Sequence, residues 1–99
     1  MLRLVKVEEI NGKKRFKATF SDDSITYFGQ TNPKYGTFLD HHDTKRKENY
    51  RKRHEKDLRT KNPKRPGYLS FFLLWNKKTL NQSIKDFNIR LRKNDFSIM

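Results

Sequence analysis

The sequence predicts a small α+β domain: an N-terminal three-stranded antiparallel β-meander followed by a basic helix and two C-terminal helices. Three observations predict it. Apolar and polar residues alternate between turn signals over residues 1–29, the period of a half-buried strand. Residues 43–65 hold eleven basic and four acidic residues and are rich in Lys, Arg and Glu, which are good helix formers. Leu80, Ile84, Phe87 and Leu91 recur at the spacing of one helix face.

Leu2, Leu4 and Val7 mark the first strand. Asn11-Gly12 is a strong short-range hairpin signal, because both residues tolerate the positive φ of a type I′ turn. Phe16, Ala18 and Phe20 alternate with Lys17 and Thr19 in the second strand. Asp22-Asp23-Ser24 makes the next turn. Ile25-Thr26-Tyr27-Phe28 is β-branched and aromatic, and Gly29 closes this third strand. Residues 30–42 read as a connector, with turn chemistry at Asn32-Pro33 and Tyr35-Gly36 and with Phe38 and Leu39 docking on the sheet.

Asp43 or Thr44 is placed to cap the basic helix, and Pro63 and Pro66 end it. Its apolar stripe is thin: Tyr50, His54 and Leu58. A helix with so narrow a stripe touches its own domain lightly and shows its other faces to solvent or a partner. Residues 68–75 are apolar nearly all round, and a Leu-rich run without β-branched residues favours a short buried helix over a strand. Thr79 is placed to cap the final amphipathic helix.

Ninety-nine residues make one thin-cored domain, 1–99. Only 32% of residues are hydrophobic, but 13% are aromatic, and each large ring buries about 150–250 Å². Net charge is +13; such a chain repels itself and is relieved by an anionic partner. The absence of Cys excludes disulfides and thiolate metal sites. Residues 1–6 show no apolar targeting core. The longest apolar run, Phe71 to Trp75, is far short of the roughly 20 residues that cross a bilayer. The expected protein is not secreted and does not span a membrane.

The candidate site is the basic helix and its tail. Arg46, Lys47, Arg51, Lys52, Arg53, Lys56 and Arg59 spread around the helix, with Lys61, Lys64 and Arg65 beyond it. Dense exposed Lys and Arg neutralise phosphates and release condensed counterions. The competing reading is a solvated helix laced by Glu48–Lys52 and Glu55–Arg59 pairs. Four acids cannot neutralise eleven bases, which favours a partner. Reversing Arg46, Lys47, Arg51 and Arg53 to Glu is accordingly expected to weaken binding and leave the fold intact. No helix-turn-helix or zinc-finger pattern suggests that sequence is read.

The run Asp40-His41-His42-Asp43 and the later His54 lack metal-chelating spacing, so capping roles are favoured over a metal site. There is no nucleophile elbow, and four glycines give no phosphate loop. Trp75 ends the most apolar run and reads as a core anchor. No enzyme activity, cofactor or small-molecule substrate is expected.

The order His41-x-Asp43, Arg46-Lys47-x-x-Tyr50-x-x-Arg53-His54, Gly67-x-Leu69-Ser70, Leu74-Trp75-Asn76 and Ser83-Ile84-x-Asp86-Phe87 resembles a family of small basic proteins of unknown function from nucleocytoplasmic large DNA viruses. The similarity covers about residues 26–91; Leu58 stands where a Trp is expected soon after the Arg-His pair. The resemblance implies a viral origin, in the virion or the infected cell, and no catalytic residues. The expected function is binding of nucleic acid, without sequence specificity, through residues 43–65. The alternatives are a minor capsid protein bridging acidic surfaces of larger subunits in a viral assembly, or an adaptor or inhibitor of a host protein.

Overall fold

Strand β1 (Leu4–Glu9), β2 (Lys14–Phe20) and β3 (Ile25–Gln30) form one antiparallel sheet in the order β1-β2-β3. The computed structural model describes residues 2–10, 12–30 and 36–96. Period-two alternation sets the register: Phe16 pairs with Phe28, Ala18 with Thr26 and Leu4 with Phe20. Leu4, Phe16, Ala18, Phe20 and Phe28 are therefore buried on one face. A register shift between Leu4 and Lys6 accommodates Val5, which stays exposed.

The first hairpin departs from its expected turn. The Ile10 amide donates to the Arg15 carbonyl at 2.8 Å, so the connection is longer than the two residues of a type I′ turn. Asn11 lies outside the described residues, as do Asn32-Pro33 and Tyr35. The second turn forms as expected. Asp23 has φ 68°, and an Asp22 carboxylate oxygen accepts from the Ser24 amide and hydroxyl. Gly29 has φ 82° within β3, and a Cβ there would stand 3.2 Å from Leu74 and 3.3 Å from Phe16. The positive φ favours glycine at that position, and an added Cβ would crowd both side chains.

The remaining chain is helical, in agreement with the predicted class. Helix α1 (Phe38–His41) is followed by α2 (Thr44–His54), a 3₁₀ segment (Glu55–Thr60), α3 (Pro66–Leu69) with a π-helical continuation (Ser70–Leu74), and α4 (Leu80–Lys93). The run predicted as a buried helix, residues 68–75, passes through the core: Leu69 and Phe71–Leu74 are all essentially inaccessible. Against it lie the sheet and Phe87 of α4, while the Phe96 ring packs on Tyr68, Phe72 and Phe87. Thr79 caps α4 by accepting from the Gln82 amide. Asn88 of α4 accepts from the Leu4 amide and donates to the Leu4 carbonyl, tying α4 to the edge of β1.

Two expectations change. The basic helix proper ends at His54, and a 3₁₀ segment carries the chain on. The connector contains a helix, α1, fixed by a long-range pair: Arg15 of β2 forks onto Asp40 with two bonds of 3.0 Å, and Asp40 also accepts from the Thr37 amide and hydroxyl. The Arg15 hydrogen bonds hold the Asp40 carboxyl well below the usual carboxylate range, against a smaller opposing effect of burial. A carboxylate whose folded pKa is depressed stabilises the fold above its unfolded value of about 4; this stability is lost as pH falls through the folded value. Urea midpoints measured from about pH 5 to 2 should therefore fall more steeply for the wild type than for Asp40→Asn. Parallel curves would show that the fork does not anchor α1.

Candidate polyanion-binding site

Helix α2 begins where Asp43 accepts from the amides of Lys45 and Arg46. The Asp43 amide in turn donates to Nδ1 of His41 at 2.9 Å, so the proton of a neutral His41 sits on Nε2. The inward face of α2 is not aliphatic. It consists of Lys47, Tyr50, Arg51 and His54, spaced i, i+3, i+4 and i+7. Lys47 lies 4.8 Å above the Phe38 ring, and Arg51 lies 4.5 Å above Phe71. Tyr50 stacks between His54 at 4.2 Å and Trp75 at 4.3 Å. Burial pushes the Tyr50 phenol up to about 12.

Arg51 also donates to the Trp75 carbonyl and to Oδ1 of Asn76. Asn76 donates to Asp86, which accepts from Arg90 at 2.8 Å, and Arg90 stands over the Phe72 ring at 4.8 Å. This chain of polar groups roofs the aromatic core. It uses the Leu74-Trp75-Asn76 and Asp86-Phe87 motifs structurally. Such stacked cations are worth about 0.5–2 kcal/mol each, more as they lose water.

Three predicted contact residues are thereby corrected. Arg51 is drawn into the core network, Lys47 is half-buried over Phe38, and Lys64 pairs with Asp22 and holds that carboxyl well below its usual range. Phe38 likewise packs under α2 through Lys47, not simply on the sheet. Trp75, expected as a core anchor, is half-buried and walls a cleft.

The other predicted cations face outward. Lys52, Arg53, Lys56, Arg59, Lys61 and Arg65 are exposed and make no salt bridge among the described residues, and Arg46 is exposed with Asp43 at 3.6 Å. Neither Glu48–Lys52 nor Glu55–Arg59 forms a salt bridge. Of the four acids in this stretch, Asp43 caps the helix and Asp57 takes Nδ1 of His54 at 3.0 Å, while Glu48 and Glu55 are exposed.

Between α2, the sheet and α3 lies a cleft of about 860 Å³. Lys13 and Lys14 border it from the first hairpin, and Arg46 and Arg53 from α2. His41, Tyr50, His54 and Trp75 supply its rings. Nε2 of His41 is buried without a hydrogen-bond partner. Sequence reading missed this cleft, because five separate segments build it. The one sequence signal was the recurrence of rings with cations in Arg46-Lys47-x-x-Tyr50-x-x-Arg53-His54.

His42 ends α1 with φ 55°. Among the described residues no group of three or more His, Asp or Glu is placed to hold a metal ion. None of their helices is long and apolar enough to cross a membrane.

Residues 8–54, from within β1 to the end of α2, match the model of a family of unknown function, DUF5754. This is just under half of the chain and leaves α3 and α4 outside the match. No curated protein and no solved structure matches the chain.

Proposed function

We propose that this is a non-enzymatic, virion-associated protein that binds nucleic acid backbones without reading their sequence. The contact surface is the outer face of α2 continued along the 3₁₀ segment. One observation carries this reading: the exposed cations from Lys52 to Arg65, Lys64 apart, make no salt bridge among the described residues, while Asp43 and Asp57 are consumed by capping and by His54. An unbalanced row of Lys and Arg on a rigid helix offers a phosphate backbone several counterion-releasing contacts. The resemblance to small basic proteins of large DNA viruses supports the virion setting.

A second reading has its own support. Ile25 and Tyr27 lie on the solvent side of β3, 47% and 50% exposed, which favours contact with a larger subunit. A minor capsid protein could use both surfaces.

The first reading is tested by titrating duplex DNA at about 50 mM salt, where several phosphate contacts give strong binding. Binding that weakens as salt is raised is the expected result. No binding at that salt would sink the reading.

A further inference from the structure

The cleft beside α2 differs from the convex outer face, and its composition narrows what it can hold. Four cations line it, Lys13, Lys14, Arg46 and Arg53, against one lining carboxylate, Asp57, which is bonded to His54, and Asp43, which stands 3.6 Å from Arg46. The occupant is therefore an anion. The cations come from two opposed elements, and Arg46 and Arg53 are two helical turns apart, about 10 Å along the axis. A volume of about 860 Å³ far exceeds what an inorganic anion fills and falls in the range of about 300–1,000 Å³ typical of organic ligands. The occupant therefore has a body beyond its charge.

The cleft offers that body four rings: His41, Tyr50, His54 and Trp75. A flat body that packs against rings and is joined to a phosphate is a nucleotide. Base pairing in a duplex would keep that base out of a cleft, so the nucleotide must be unpaired.

We infer that this cleft takes one unpaired nucleotide, with its phosphate held between the α2 arginines and the hairpin lysines and its base against the ring wall. The inference rests on the nucleic-acid reading above and adds a single-strand preference to it. The source is a free nucleotide or a residue of a single strand.

Trp75 is the chain's single Trp and lines the cleft, so its emission reports occupancy. The protein is titrated with inorganic phosphate, thymidine 5′-monophosphate and an oligothymidylate of about ten nucleotides, within the site sizes usual for single-strand binders. A saturable emission change is expected with the nucleotide and the oligomer and none with phosphate at equal concentration. Tighter binding of the oligomer assigns the strand; equal affinity assigns the free nucleotide. Arg46→Gln with Arg53→Gln should weaken nucleotide binding about tenfold or more, as expected when hydrogen bonds to a charged group are removed. Lys85→Gln with Lys93→Gln, exposed on α4 and outside the cleft, should leave nucleotide binding unchanged. Unaltered urea midpoints in both variants establish that each is folded.

Duplex binding with no Trp75 response to nucleotide or oligomer would overturn the inference and leave the broader function standing. An equal response to phosphate alone would reduce the cleft to an anion site and also overturn it. Absence of any nucleic-acid binding would remove both.

Discussion

Arg51→Glu is expected to destabilise the protein by about 3–5 kcal/mol, the usual cost of breaking a desolvated ion network, whereas Arg53→Glu is expected to change stability by less than about 1 kcal/mol. The two residues are neighbours on α2 and the charge change is identical, so net charge cannot explain a difference. Arg51 lies over Phe71 and donates to the Trp75 carbonyl and Asn76. A Glu there leaves those acceptors unpaired and brings a second carboxylate toward Asp86, which Asn76 contacts at 2.7 Å. Arg53 is exposed and makes no such contact. A small domain has about 5–15 kcal/mol in total, so Arg51→Glu removes a large share. Urea unfolding of the two variants measures it; equal midpoints would place Arg51 in solvent. The combined reversal of Arg46, Lys47, Arg51 and Arg53, which sequence reasoning expected to stay folded, is for the same reason expected to lose its fold.

Tyr50→Ala is expected to cost about 3 kcal/mol, in the range for buried aromatic truncations, and Tyr50→Phe less than about 0.5 kcal/mol. Tyr50 is the middle ring of the His54–Tyr50–Trp75 stack, with centroid spacings of 4.2 and 4.3 Å. Each stacked pair adds about 0.5–1.5 kcal/mol beyond area burial. Its hydroxyl makes no hydrogen bond among the described residues, so the ring carries the contribution. Thermal and urea unfolding of both variants check this. If Tyr50→Phe were as damaging as Tyr50→Ala, the hydroxyl would be the anchor and the stack incidental.

The strands were legible because one face is buried and the other wet, which writes period two into Phe16-Lys17-Ala18-Thr19-Phe20. The last helix was legible because its buried stripe is aliphatic and aromatic, and Asp43 and Thr79 are short polar residues at the position where an orphaned amide needs an acceptor. The inner face of α2 was not legible by the same rule. Lys47 and Arg51 pack through cation–ring contacts, so a search for apolar residues sees only Tyr50 and His54. Helix α1 depends on Arg15–Asp40, and the tail of the basic stretch on Lys64–Asp22; these partners are 25 and 42 residues apart, beyond any local pattern. Asn11-Gly12 signalled a two-residue turn, but the Ile10–Arg15 pairing sets a longer connection. A charge count cannot separate a guanidinium over a ring, as at Arg51, from one in water, as at Arg53.

The most direct test of the exposed row is the salt dependence of duplex binding for the wild type and for a variant with Lys52, Lys56, Arg59 and Lys61 changed to Gln. If these side chains meet phosphates, the slope of log affinity against log salt concentration becomes shallower by about 0.9 for each phosphate no longer neutralised, with the urea midpoint nearly unchanged. A variant that binds DNA with the wild-type slope would contradict it, and the outer face of α2 would not be the surface that meets nucleic acid.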